Sequence, residues 1–416
     1  MKSVSKAGIL ILAALLLVLP LLAGCGGNGD EDGGEVTGEV VGDVVITIGN
    51  LTDLTGATAS AMELINLALK DMIDYYNTEN LIPGVELKVR EYDTTYDPSR
   101  YNAGYEWLKE KGMDVVWTPV PGASQVIRAR VDKDEMVVFT PSAAKEELVP
   151  PGHVFMPSTI PDDNSYTLLK WIAENDWDYE TNGPAKVGAA AWITPYNESL
   201  HNAAEEYCRA HPDQFTWVGS YRSDFKFTWG TEVEALKDCD YVMVPINLGN
   251  FAKEYRQSGY GAKFLGTGAQ AAFLGLVHAA SMWDEIDGML FAGIMSWWND
   301  DTEVAGFIND ILHRYHPDSA EQIIRGGSGY MSVDSVTQML EIIKNAVESV
   351  GPENFDSAAL YEAAQAYSQT ADGIARASFT ENKRASVDFV AIYEADGEAK
   401  DLFMVGDEFY PVVREP

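Results

Sequence analysis

Apolar residues keep two periods in alternation along this chain. The run 44–48 (VVITI) is short and β-branched, and predicts a buried strand. After a loop at 52–56, apolar residues recur at helical spacing from about 60 to 77, at Met62, Ile65, Leu69, Met72, Ile73 and Tyr76. Residues 85–92 alternate as a strand does. A helix over 99–109, a strand over 114–117, a helix over 124–131 and a strand over 136–139 follow, and a further helix opens beyond Thr140. The rhythm restarts after about 160. Helices are expected at 163–174, 197–209, 233–237 and 250–257, and strands at 186–192, 215–221, 241–244, 263–265 and 289–294. Helices at 302–315, 332–349 and 357–366 come next. Two alternating strands, 387–394 and 400–405, close the chain as a hairpin through Asp396-Gly397.

Strands alternating with helices at this spacing predict an α/β chain built on parallel, doubly wound sheets. The two stretches share a layout and no sequence repeat, so we read two Rossmann-like lobes joined by a hinge. Ligands of open parallel sheets bind beyond the carboxyl ends of the strands. Two such edges facing each other form a cleft for a small molecule, and closure about the hinge is the expected motion.

Composition narrows the class. The 416 residues are 46% hydrophobic and 22% charged, enough apolar material for two cores. Acids outnumber bases 64 to 29, a formal charge of −35. Phosphate backbones repel such a chain, which argues against nucleic acid as a partner. At the start, Lys2 and Lys6 precede an apolar run over 8–22. That run is shorter than the roughly 20 residues of a membrane span and suits the core of an export signal. It ends in Leu22-Ala23-Gly24-Cys25, which resembles a bacterial lipobox. Residues 1–24 would be removed and Cys25 lipidated. Residues 26–42 hold seven glycines and five acids, so with Cys25 they read as a flexible tether. The expected location is outside the cytoplasm, with the lipid on Cys25 as the attachment to a bacterial membrane.

From about residue 44 onward the chain resembles the leucine/isoleucine/valine-binding family of extracytoplasmic solute-binding proteins, which serve ABC importers. The landmarks are Ile46-Thr47-Ile48-Gly49 through Leu54-Thr55-Gly56, Glu91-Tyr92-Asp93 with Asp97-Pro98, Thr140-Pro141-Ser142-Ala143-Ala144, and 261–266 (GAKFLG). The resemblance implies the type 1 periplasmic binding protein fold with a three-segment hinge. It places one lobe at 43–160 plus 296–378 and the other at 161–295 plus 379–416. It also implies ligand donors: Gly122, Ala123 and Ser124 at a helix start, where backbone N–H groups suit an anion, and Ser142, Ala143 and Ala144 in the next loop. Ser124 reads equally as a plain helix cap. Tyr330 stands where the family has a pocket aromatic, and Asn247 where a tyrosine often sits.

One departure bears on the ligand. Amino-acid-binding members hold the ligand's ammonium with a glutamate, and Gly268 stands at that position. A buried ammonium without a carboxylate is costly. An α-amino acid would therefore need another acid, such as Asp162, Asp163, Asp300 or Asp301. Beside a branched-chain amino acid-like ligand held in that way, a neutral or monoanionic small organic molecule, an amide, a carboxylate or an aromatic acid, is expected. Trp117, Trp192 and Trp297 lie at strand ends and offer stacking surfaces, with core packing as the plain alternative; Trp298 points away from Trp297.

Motifs of catalysis are missing: no nucleophile elbow, zinc motif, P-loop or dinucleotide fingerprint occurs. His313 and His316 share a helical turn without a nearby acid, so neither metal nor cofactor is expected. Cys208 and Cys239 either pair or stay as buried thiols. The reading is a monomeric, non-enzymatic receptor whose partners are a small-molecule ligand and an ABC permease. A ligand-sensing lipoprotein coupled to a membrane receptor is the alternative.

Overall fold

The structure, a computed structural model, describes residues 44–416 apart from Phe225 and Asp407. The export segment, Cys25 and the glycine-rich acidic segment lie outside the described residues. β1 (Val44–Thr52), β2 (Val85–Asp93), β3 (Val115–Trp117), β4 (Val138–Phe139) and β5 (Val154–Phe155) form a parallel sheet in the order β2-β1-β3-β4-β5. β1 is buried from Ile46 to Thr52, as an inner parallel strand covered on both faces must be. Helix Ala59–Thr78 covers one face with Met62, Ile65, Leu69, Met72, Ile73 and Tyr76, the stripe its apolar spacing predicts.

The second sheet begins with β6 (Ala185–Trp192), β7 (Phe215–Ser223), β8 (Tyr241–Met243), β9 (Lys263–Thr267) and β10 (Leu290–Ile294), all parallel. A hairpin of β11 (Ser368–Ala371) and β12 (Ile374–Ser378) stands apart. The chain then returns to the second sheet with β13 (Phe389–Asp396), β14 (Asp401–Met404) and β15 (Tyr410–Pro411), antiparallel at its edge. Helices Glu303–Tyr315 and Val333–Val350 pack on helix Ala59–Thr78 of the first sheet. The chain thus passes between the sheets three times, after β5, after β10 and after β12.

Several short elements differ from the sequence reading, β5 and helices Tyr179–Asn182 and Ala320–Arg325 among them. The helix beyond Thr140 is one short turn, Lys145–Leu148. Helices Gly268–Ala271 and Leu274–Ala279 were not foreseen, because 268–279 (GAQAAFLGLVHA) is small or apolar all round and shows no period. The β11–β12 hairpin was also not foreseen, although Asp372 and Gly373 take the left-handed pair of φ values, 52° and 74°, that a two-residue hairpin turn requires.

Cys208 and Cys239 do not pair; both thiols are free and buried. Cys208 packs with Val187 and Ala189 of β6, whereas Cys239 packs with Ala190 and Leu236. Successive residues of β6 point to opposite faces, so the sheet stands between the two sulfurs. His313 Nδ1 lies 2.8 Å from Asn309 O, and His316 Nε2 lies 2.7 Å from Asp71 Oδ2. Among the described residues no cluster of three or more His, Cys, Asp or Glu is placed to hold a metal, and no helix is long and apolar enough to cross a membrane.

Candidate ligand-binding site

The carboxyl ends of the strands in both sheets face one cavity of about 210 Å³. The first sheet contributes Thr58, Met62 and Ile65 beyond β1, Tyr96 beyond β2, Pro119 and Pro121 beyond β3, and Ser142 beyond β4. The second contributes Trp192 at the end of β6 with Tyr196 and Asn197 beyond it, Asn247 beyond β8, Gly268 and Phe273 beyond β9, and Gly293 to Ser296 at and beyond the end of β10. Most of these walls are apolar. The position follows from the winding, since the loops that leave parallel strands all emerge at one edge.

Many polar side chains on the walls are already engaged by the protein. Thr159 Oγ1 donates to Asn164 Oδ1 at 2.6 Å, and Tyr196 OH lies 3.0 Å from Thr267 Oγ1. Asn197 Nδ2 donates to Trp192 O at 3.0 Å, and Ser335 Oγ to Pro157 O at 2.8 Å. Gly293 has φ 71°, and a Cβ there would stand 2.5 Å from Asn164 Oδ1. Glycine is needed at that position for both reasons.

Four of the residues chosen from sequence line the cavity: Ser142, Trp192, Asn247 and Gly268. Gly268 does more than omit a glutamate: a Cβ there would press on Gly293 O at 3.2 Å. The other eight do not line it. Trp117 is fully buried in the core. Trp297 turns away, with Nε1 donating to Asp401 Oδ1 at 2.7 Å. Tyr330 sits behind the wall, its OH donating to Asp71 Oδ2 at 2.5 Å and its ring stacked on Trp298. Gly122, Ala123, Ser124, Ala143 and Ala144 flank the wall residues Pro121 and Ser142 in the chain and are not on the walls themselves. A Cβ on Gly122 would lie 3.9 Å from Pro195 Cγ, on the facing lobe.

Glu147 explains the fate of the expected anion donors. Its side chain is 1% exposed. It accepts from Ser124 Oγ and, at 2.9 Å, from the Ala144 N–H. Burial raises its pKa, and the bonds from Ala144 N–H, Ser124 Oγ and the Gln125 N–H oppose that rise. The chain's own acid therefore engages two of the donors that the resemblance assigns to a ligand carboxylate, Ser124 Oγ and the Ala144 N–H. None of the four acids weighed as ammonium partners lines the cavity. Asp162 accepts from Ser199, Asp163 faces Arg414 at 3.9 Å, Asp300 accepts from Tyr393 and the Trp297 N–H, and Asp301 lies away from the walls.

The acid that does line the cavity is Asp334, which sequence reasoning missed. It opens helix Val333–Val350 and is 5% exposed. Its Oδ2 is buried without a hydrogen-bond partner. Burial pushes its carboxyl up, and the Arg376 guanidinium and a hydrogen bond from Gln369 pull the other way.

A glycine-rich segment closes one side. Ser328 N–H donates to Ala271 O at 3.1 Å, Gly275 N–H to Gly326 O at 3.3 Å, and Ser328 Oγ to Gly268 O at 3.2 Å. Gly326 and Gly329 lie against Leu64 of helix Ala59–Thr78, so the segment bridges the two sides of the cleft. The run 326–329 (GGSG) was the available signal, because clustered glycines mark close backbone approach.

The family model described as periplasmic binding protein matches residues 45–400. The chain belongs to the periplasmic binding protein family. Its fold is the two-lobed type 1 arrangement, in which sequence reasoning placed it. A branched-chain amino acid ABC transporter protein from Thermus thermophilus with bound valine is similar at TM-score 0.75 and 19% identity, over 89% of this chain and 97% of that one. A fatty acid ABC transporter substrate-binding protein from Thermomonospora curvata is similar at 0.71 and 16%, over 89% and 94%. A Rhodopseudomonas palustris solute-binding protein in complex with 3,4-dihydroxybenzoic acid is similar at 0.70 and 17%, over 89% and 99%. No curated protein sequence matches the chain. As a periplasmic binding protein the chain is a non-enzymatic, extracytoplasmic ligand-binding receptor.

Proposed function

We propose that this periplasmic binding protein is the lipid-anchored receptor of an ABC importer and captures one small, largely apolar organic molecule between its lobes. The observation that carries the reading is the cavity of about 210 Å³ walled by strand ends of both sheets. Trp192, Tyr196, Phe273, Met62 and Ile246 supply the apolar surface, and Ser142 and Asn247 supply polar contacts. The glycine segment 326–329 holds the closed form, in which the permease meets both lobes at one spacing. Cys25 carries the anchor, and the acidic stretch behind it gives the body reach from the membrane.

A thermal-shift screen of the mature protein against small amides, amines, amino acids and aromatic acids tests the receptor reading. A ligand that binds only the native state raises the melting temperature, by more the tighter it binds at a given concentration. A ligand that also loses its effect in Trp192→Ala places binding at this cavity; absence of any shift counts against it. Membrane fractionation tests the anchor: the full chain is expected with membranes, and Cys25→Ala in the soluble fraction.

A further inference from the structure

We infer that the ligand of this cavity presents a protonated nitrogen to Asp334 and carries no carboxylate, so that Asp334 is the residue that sets specificity. The inference rests on the receptor reading above. Asp334 is the one residue of acidic or basic type on the cavity walls; among the described residues no Lys, Arg, His or Glu lines them. Its Oδ2 is buried and unpartnered, which is expensive unless something supplies a donor there.

Gln369 hydrogen-bonds to the Asp334 carboxyl, but Oδ2 keeps no partner from the protein. Arg376 is the cation near Asp334; both its Nη atoms are committed elsewhere, and its Nε makes no hydrogen bond. Its Nη1 donates to Asp372 Oδ2 at 2.7 Å, and its Nη2 donates to Met295 O and, at 3.0 Å, to Ser296 Oγ. Asp300 also lies within reach of the Arg376 charge. One guanidinium thus serves three carboxyls, Asp334, Asp372 and Asp300, and the group is short of positive charge. A ligand ammonium completes it.

An anionic ligand finds the opposite conditions. Helix N-termini around the cavity attract anions when their N–H groups are open. Here the chain brings its own acceptors. Asp53 accepts from Gly56 N–H and Thr58 N–H at the start of helix Ala59–Thr78. Glu147 takes Ser124 Oγ and the Gln125 N–H at the start of helix Ala123–Asp134. Thr194 caps helix Pro195–Ala210, and Asp162 and Asp163 stand in the first turn of helix Pro161–Asn175. The whole chain, with 64 acids against 29 bases, draws cations toward the cleft and repels anions. The aromatic walls Trp192, Tyr196 and Phe273 suit the apolar body of an amine.

The test is titration calorimetry of the mature protein with matched probes on shared skeletons: phenethylamine, phenylacetamide and phenylacetate, then isoamylamine, isovaleramide and isovalerate. The amines are expected to bind most tightly. Asp334→Asn, which keeps the shape and removes the charge, is expected to weaken the amines about tenfold or more. Residual amide binding and an unchanged melting temperature serve as the folding control for that variant. If a carboxylate or an amide binds most tightly, or if Asp334→Asn leaves amine binding unchanged, the assignment of Asp334 is wrong while the receptor reading stands. If none of the probes binds and none shifts the melting temperature, the receptor reading at this cavity fails with it.

Discussion

Glu147 and Asp334 are both acids folded into the interior, 1% and 5% exposed, and burial raises the pKa of both. They differ in what surrounds the oxygens. Glu147 receives the Ala144 N–H on one oxygen and Ser124 Oγ on the other, and so ties two loops behind the cavity wall. Asp334 keeps Oδ2 without a partner on the wall itself. A buried carboxyl that is saturated from within holds structure. One left incomplete at a cavity holds a place for something that comes from outside. The same desolvation makes the first a clasp and the second a recognition group.

The largest expected effect breaks the clasp. Glu147→Ala leaves Ser124 Oγ and the Ala144 N–H buried and unpaired, and should cost about 3 kcal/mol in urea unfolding. Asp334→Ala removes a carboxyl with one oxygen unpartnered, along with its Gln369 bond and the Arg376 attraction, and should cost less, about 1 kcal/mol. Equal losses at the two sites would erase the distinction.

Next comes the bridging segment on the Asp334 side. Gly327 has φ 103°, and a Cβ there would stand 2.3 Å from Ala271 O. Gly327→Ala should therefore push apart the backbone bonds that join 326–328 to 271–275. A loss of ligand affinity of about tenfold, with a wider form in small-angle scattering, is the expected result. Unchanged affinity would mean that the bridge plays no part in closure. Asn247→Ala probes the remaining polar contact, and should weaken the ligand about fivefold with little effect on unfolding.

A third buried acid gives the smallest effect. Burial pushes the Asp163 carboxyl up to about 7, with the Arg414 charge opposing; Asp162, Lys145 and Lys383 also act on it. The folded chain holds this proton more tightly than the unfolded chain, whose value is near 3.8. The stability linked to it is whole below about pH 4 and is lost as pH rises through about 7. Asp163→Asn should flatten that part of the melting temperature against pH, and an unaltered slope would show that Asp163 does not titrate in this window.

Much of the fold was legible because periodicity is local. Nearly every strand of the two sheets and every long helix could be read from apolar spacing, and the type 1 arrangement followed from a few motifs in order. The segment 268–279 escaped because it has no polar face to set a period, and the β11–β12 hairpin because its strands are short. The site was legible in outline only. Ser142, Trp192, Asn247 and Gly268 were found because they end strands or stand at motif positions. Trp117, Trp297 and Tyr330 also sit at such ends, but a strand end does not tell which way a ring turns. Glu147 reads in sequence as an ordinary surface acid beside Glu146, and Asp334 as a polar position of an amphipathic helix.

The amino-acid sequence by itself determined the α/β class, the two-lobed winding and the sheet edge at which the cavity lies, because each depends on spacing between near neighbours. Only the tertiary structure decided what that edge is made of. Glu147 meets Ser124 across 23 residues, and Arg376 reaches Ser296 across 80. Contacts over such separations exist only once the chain has folded, so neither the engaged donors at Glu147 nor the open Asp334 carboxyl has a local signature.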